Sequence, residues 1–342
     1  MRAMMFGVLA AEHYLCGMKD SVLTSGGRSG GAAAAVTGLS VLLPEYNTCC
    51  VPLVRALVRQ CGAVTGLDYE IIVYDDASTD RRAVQANEEI RGLARCSFVA
   101  AKQNRGSGAA RNALALMAEH RWLLFLDCDV KLTHDDFIRR YIDAANTYGP
   151  GVVINGGIEI GHGGTPLPNL RYAYEKGEER AHGAAARAKH PHHAFRTTNF
   201  MADRDVMLAH PFDERLRRYE DVLFGKDLCD SSVDIVHIDN PVLMDTFEGN
   251  DEFIRKVERN IDVLFAFRQR LKGYSPLLAL ADCLPVRLCL PAIAAWHKRC
   301  GGRLRHTLTS STPRTILLRV YQVGYYARLA GGRRNRHTTI NA

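Results

Sequence analysis

The run Trp122-Leu123-Leu124-Phe125-Leu126, followed at once by Asp127-Cys128-Asp129, constrains this chain more than any other stretch. Consecutive apolar residues without polar alternation suit a strand covered on both faces, as in a parallel sheet layered between helices. Side chains alternate along extended backbone, so carboxylates separated by one residue leave the strand on one face. At the carboxyl end of such a strand they face the crevice where open α/β sheets bind ligands. Paired hard oxygen donors suit a magnesium- or manganese-sized ion whose shell is completed by phosphate oxygens and water. The plainer alternative is a strand end capped by solvated carboxylates.

The residues ahead of this run repeat the pattern. Leu39–Leu43 is a buried-strand run ended by Pro44-Glu45-Tyr46-Asn47, and Pro52 fits the first turn of a helix carrying Leu53, Leu57 and Val58. A second strand, Tyr69–Tyr74, again ends in carboxylates, Asp75-Asp76-Ala77-Ser78-Thr79-Asp80. A weakly anchored helix and a third strand, Cys96–Ala101, follow. Then Asn104-Arg105-Gly106-Ser107-Gly108-Ala109-Ala110-Arg111-Asn112 leads into a helix expected over 113–121. Strand and helix in this alternation predict right-handed crossovers and an α/β fold with a mostly parallel sheet flanked by helices. Both acidic pairs then fall on one edge. The Gly106-x-Gly108 turn also admits a dinucleotide fingerprint, but Arg111 stands where the third glycine would allow close helix–sheet packing.

The second half is less regular. Val152–Ile160 reads as one strand with a glycine bend, and 181–194 is small and basic. His190, His192 and His193 in that stretch are expected to face solvent or an acceptor rather than bind a transition metal. Glu220-Asp221 opens an apolar, helix-like segment, where capping is the simple role for a carboxylate. Residues 251–272 form an amphipathic helix with Ile254, Val257, Ile261, Leu264 and Phe265 on one stripe and Gly273 at its end.

Charge divides the chain. No acid follows Asp282, whereas eleven of the 44 Lys and Arg do, so the formal +7 belongs to the tail and the body is mildly acidic. That distribution disfavours a nucleic-acid binder and suits a basic tail against an anionic membrane surface. The expected organisation is a flexible extension over 1–38, a single catalytic domain over 39–273, and a basic, partly amphipathic helical region over 274–342. In the last, Pro285 and Pro291 around Arg287 speak against a spanning helix. A helix after Pro313, presenting Ile316, Leu317, Val320, Tyr321 and Tyr325 among arginines, suits a membrane interface; packing back on the catalytic domain is the alternative. The ten cysteines lack Cys-x-x-Cys spacing, which predicts a reducing compartment and no structural zinc.

Together, Ser40–Asn47, Glu70–Asp80, Asn104–Asn112, Phe125–Asp129 and Tyr219-Glu220-Asp221 resemble, in order and spacing, the family 2 glycosyltransferases, which have the nucleotide-sugar-binding GT-A fold. The resemblance runs from about Leu39 to Phe267. It implies that Pro44, Tyr46 and Asp76 line the base and ribose pocket, with Asn47 and Asp75 in the same nucleotide-sugar site. Arg111 would lie near the ribose and phosphate, Asp127 would reach the donor or its metal, and Asp129 would bind Mn2+ or Mg2+. Asp221 would be the catalytic base with Glu220 beside it. The implied reaction is inverting transfer from a nucleotide diphosphate donor, a UDP-sugar first of all, to a glycan or lipid-linked acceptor in surface polysaccharide synthesis. The implied location is cytoplasmic, peripheral on the inner face of the membrane. Met244 departs from the pattern, standing where relatives often carry a His, and the Gln-x-x-Arg-Trp motif of processive synthases is absent. A degenerate, non-catalytic binding scaffold of the same fold is the alternative function.

Overall fold

The computed structural model describes residues 35–163 and 167–332. Most of the expected N-terminal extension, and residues 333–342, lie outside the described residues. The chain divides into two compact units. The larger comprises 35–163 and 178–246, the smaller 167–177 and 247–332.

The larger unit is built on a sheet whose strands, numbered along the chain, are β1 (Gly38–Glu45), β2 (Asp68–Asp75), β3 (Cys96–Ala100), β4 (Trp122–Leu126), β6 (Val153–Asn155), β8 (Asn199–Asp203) and β9 (Ile235–His237). Its order is β3-β2-β1-β4-β8-β6-β9. β1, β2, β3 and β4 are mutually parallel, and β8 runs antiparallel to both neighbours. The longer helices here are α1 (Val51–Gly62), α2 (Ser107–Met117), α3 (Phe137–Tyr148) and α4 (Glu220–Asp230). All five β4 side chains are buried, as their unbroken apolarity requires, each contributing roughly 1.5–3 kcal/mol before chain entropy. Phe125 stacks on Phe200 of β8 at 4.8 Å, and Phe195, Phe212 and Phe224 complete the cluster.

Register decides what meets at the edge. Glu45 pairs with Asp75 across β1 and β2, and Leu42 with Phe125 across β1 and β4. The Cys128 thiol reaches the Pro44 carbonyl at 3.5 Å. The two acidic strand ends therefore share one edge.

Two local expectations change. α2 begins at Ser107, not Ala113, because Gly106 takes a left-handed φ of 94° at its N-cap and the small residues Gly108, Ala109 and Ala110 are buried. Arg111 is thus a helix residue. The stretch 152–160 forms two strands in different sheets, since β7 (Ile158–Ile160) joins β5 (Lys131–Leu132) and β10 (Val242–Met244) in the order β5-β10-β7. The break at Gly156 follows from crowding: a Cβ there would lie 2.5 Å from the Asn199 amide, the Asn240 carbonyl and the Tyr141 hydroxyl.

In the smaller unit, α5 (Asn250–Ala266) buries Phe253, Ile254, Val257, Ile261, Leu264 and Phe265, the stripe anticipated from spacing. It packs against α6 (Leu284–Thr309) and α7 (Thr315–Gly332), so residues 247–273 group with the C-terminal helices and the division falls ahead of Phe247. α6 runs on through Pro291, while Pro285 occupies its first turn. α7 packs on α5 of its own unit at Tyr321. Tyr321 is buried, and its hydroxyl donates to Glu258 at 2.5 Å, so it is not part of a membrane-facing stripe. Among the described residues no single helix is long and apolar enough to cross a membrane. The short helix Pro276–Asp282 and α6 together meet the length and composition for one, but they are bent by 93°.

Candidate active site

The β1 edge is built around buried carboxylates. Glu45 is 1% exposed, accepts from the Thr48 N–H at 2.6 Å and the Ser78 hydroxyl at 3.0 Å, and burial pushes its carboxyl up to about 7. Asp75 accepts the Ser78 N–H at 2.7 Å. Asn47, at a φ of 57°, accepts the N–H groups of Thr79 and Asp80 at 2.7 and 2.8 Å, tying its loop to the end of β2. Ala77, with a φ of 58°, is a second non-glycine residue in the left-handed region, a conformation that costs roughly 1–3 kcal/mol and clusters at functional sites. Pro44 is half-buried, and Tyr46 presents an exposed ring.

Asp76 braces the neighbouring turn. Its two oxygens accept the N–H groups of Arg105 and Gly106 at 2.8 and 2.7 Å, and Asn104 donates to its carbonyl at 3.0 Å. The same turn is gripped from the far side by Arg217, whose guanidinium donates to the Asn104 side chain at 2.8 Å and carbonyl at 3.1 Å. Asn112 and Phe212 lock reciprocally: the Asn112 amide donates to the Phe212 carbonyl and accepts the Phe212 N–H, both at 2.9 Å. A Cβ on Gly108 would come within 3.2 Å of Phe212 and 3.8 Å of Glu220. The second glycine of the Gly106-x-Gly108 turn therefore lets α2 approach the 212–220 segment, which accounts for it without a dinucleotide.

Arg111 occupies the centre. It is 3% exposed and pairs with Asp127 at 2.6 Å, lies 4.0 Å from Glu220, and sits over the Phe212 ring. Its Nε and Nη1 are buried without a hydrogen-bond partner. Buried donors left unmade cost roughly 1–3 kcal/mol each, and oxygens of an anion would satisfy them. Glu220 accepts the Ser107 hydroxyl. Asp221, next to it in the first turn of α4, follows Tyr219, held at a left-handed φ of 61°. Asp221 accepts the Val222 N–H at 2.8 Å. Burial first, then the Glu220 charge, raise its carboxyl from 3.8 to about 6, against the pull of Val222, Arg196 and Arg111.

For a metal, Asp127 is about a third exposed with one oxygen on Arg111, and Asp129 is exposed. Asp129 and Asp245 line one cavity of about 600 Å3. Asp245 follows Met244, and Lys131 engages it at 2.5 Å. Among the described residues no three His, Cys, Asp or Glu side chains converge on a metal position. Two carboxylates beside a crevice fit a hard divalent ion that keeps water and phosphate oxygens, and do not fit a closed zinc cage. The His192 ring donates to the Val233 carbonyl at 2.9 Å.

This arrangement brings together Arg111, Asp127, Glu220 and Asp221, while Asp75, Asp76 and Asn47 hold the adjoining turns. Sequence reasoning about the site passed over Glu45, Ser107 and Asn112, and took Arg217 only as a neighbour of Asp221. Only their place inside the quoted motifs, or beside Glu220-Asp221, marked them.

Residues 40–207 match the model for glycosyl transferase family 2. That segment belongs to the family. The match stops short of Glu220 and Asp221, which are joined to it by Ser107 and Arg111. The succinoglycan biosynthesis protein ExoO of Rhizobium meliloti (strain 1021) is 32% identical over 120 residues, 35% of this chain and 33% of that protein. An uncharacterized glycosyltransferase of Haemophilus influenzae is 31% identical over 91 residues, 27% of this chain and 29% of that one. The chain thus spans about a third of the length of these curated relatives. A mannosyltransferase from Pyrobaculum calidifontis, solved with GDP-Man and Mn2+, superposes with a TM-score of 0.54 over 96% of this chain and 95% of its own, at 15% identity. The fold is the GT-A glycosyltransferase fold, with its large, mostly parallel sheet flanked by helices.

Proposed function

We propose that the larger unit is an inverting glycosyltransferase that moves a sugar from a nucleotide diphosphate donor, UDP-linked in the first instance, to a glycan or lipid-linked acceptor in surface polysaccharide synthesis. One observation carries the reading. A buried arginine with unused donors and a two-carboxylate strand end stand beside an aspartate whose proton affinity is raised toward neutrality.

In this reading Pro44, Tyr46, Asn47, Asp75 and Asp76 shape the nucleoside end, and Tyr46 offers an open aromatic face. Arg111 presents its spare N–H groups to the ribose–phosphate. Asp127 and Asp129 would hold Mn2+ or Mg2+, which supplies charge neutralisation for the departing diphosphate. Asp221 takes the acceptor hydroxyl's proton as that oxygen attacks the anomeric carbon; a carboxyl with a pKa of about 6 is ionised yet still basic at neutral pH. Glu220, anchored by Ser107, positions its neighbour. One base and no enzyme nucleophile give inversion.

The smaller unit is read as meeting an anionic membrane surface on the cytoplasmic side. The surface moves from α7, where Tyr321 is buried, to the start of α6, where Leu284 and Leu288 are 60% and 72% exposed.

The test is donor hydrolysis across a panel of nucleotide sugars, with and without manganese. Release of nucleoside diphosphate from one donor, stimulated by manganese, is expected. A protein that binds nucleoside diphosphate but hydrolyses no donor would instead be the non-catalytic scaffold.

A further inference from the structure

We propose that the smaller unit binds the phosphate of an anionic phospholipid headgroup in a cavity of about 460 Å3 at the meeting of α5, the short helix Pro276–Asp282, α6 and α7. Three cations, Arg268, Lys272 and Arg287, line it against one carboxylate, Asp282. Among the described residues no carboxylate forms an ion pair with any of the three. Arg268 is fixed in place: its guanidinium lies over the Phe265 ring at 4.8 Å and donates to the Phe265 carbonyl at 2.9 Å. The floor is apolar, with Phe265 and Tyr326 edge-on at 5.5 Å. Arg268 is half-buried and Lys272 and Arg287 are exposed at the rim, so the three set an unbalanced positive field over an apolar floor, which suits the two negative charges of a phosphate.

The rim points to lipid as the source. Leu284, Arg287 and Leu288 stand at helical spacing on one face of α6, so a cavity cation and two largely exposed leucines share a surface. A phosphate held by Arg287 would leave its acyl chains beside Leu284 and Leu288. Naming lipid rests on the membrane reading above; the phosphate site does not.

Sedimentation with phosphatidylcholine vesicles containing phosphatidic acid tests this, using two variants of the full chain matched for charge. One is Arg268→Gln/Lys272→Gln/Arg287→Gln, in the cavity. The other is Lys298→Gln/Arg299→Gln/Arg303→Gln, on exposed residues further along α6. Lys298 lies about 16 Å along the helix from Arg287, beyond a Debye length of about 8 Å at physiological salt. Each cation at the lipid surface is worth roughly fivefold, so the cavity variant should bind about a hundredfold more weakly and the distal variant within about fivefold of the parent. Equal losses would make the attraction diffuse and overturn the site, as would a parent that ignores the vesicles. Leu284→Ser/Leu288→Ser should weaken vesicle binding. If it does not, and inorganic phosphate displaces the protein from vesicles, the site takes a free anion and lipid is the wrong source. Should the cavity variant melt early, Arg287→Gln alone, at the exposed rim, should still show about a fivefold loss. Donor hydrolysis by the same preparation separates the outcomes: vesicle binding without hydrolysis sinks only the transferase reading, and the converse only this one.

Discussion

Replacing Asp221 by Asn should stabilise the protein while silencing it. In the folded chain this carboxyl titrates at about 6 against an ordinary 3.8, chiefly because burial disfavours its charge and Glu220 repels it. The unfolded chain therefore releases the proton first as pH rises. Stability falls through the window from 3.8 to about 6, and the penalty is complete above it. At 1.36 kcal/mol per pH unit the gap amounts to ~3 kcal/mol. Asn cannot ionise yet can still accept the Val222 N–H, so the variant escapes that penalty. Urea unfolding should give the variant a higher midpoint than the parent at about pH 8, by up to ~3 kcal/mol with m unchanged, and no advantage at about pH 3, below both pKa values. Transfer by the parent should follow the ionised base, half-maximal near its pKa of about 6 and falling about tenfold per pH unit below it. A variant no more stable than the parent at about pH 8, or an acid limb centred near 3.8, would refute the argument.

Other residues give separable outcomes. Arg111→Met removes the partner of Asp127 and a cation that holds Asp221 down. Thermal or urea melts should show a loss of about 1–3 kcal/mol, discounted because Asp127 is partly solvated, and the acid limb should move to higher pH; a move to lower pH contradicts the electrostatics. Asn112→Ala breaks both bonds to Phe212, costing about 1–3 kcal/mol, and steady-state kinetics should show kcat falling more than donor affinity; unchanged kinetics would mean the lock positions nothing. Asp129→Asn should abolish manganese-stimulated turnover and weaken nucleoside diphosphate binding with little change in melting temperature; full activity would remove Asp129 from the metal site.

Much of the fold was legible because local pattern and tertiary role agree. β4 is apolar throughout and is covered throughout, and the α5 stripe faces its neighbours as its spacing requires. Where sequence reading failed, a distant partner decided the outcome. Gly108 looked like loop material because the reason for a glycine there, the approach of Phe212 and Glu220, lies about a hundred residues on. Val152–Ile160 reads as one strand until Asn199, Asn240 and Tyr141 crowd Gly156. Tyr321 suits a membrane interface until Glu258, 63 residues earlier, takes its hydroxyl. The candidate site divides the same way. Asp127, Asp129 and Asp221 were marked by position at strand and helix ends, whereas the supports Asn112, Ser107 and Arg217 act only through contacts that folding creates.

Donor binding and proton removal are assigned to different residues of one site, a separation that calorimetry beside a transfer assay can read. Parent and Asp221→Asn would each be titrated with the nucleoside diphosphate of the active donor in the presence of manganese. Matching affinities are expected, with transfer by the variant lower by about two to four orders of magnitude, the usual share of a general base. Loss of nucleoside diphosphate binding in the variant, or transfer at the parent's rate, would contradict that separation.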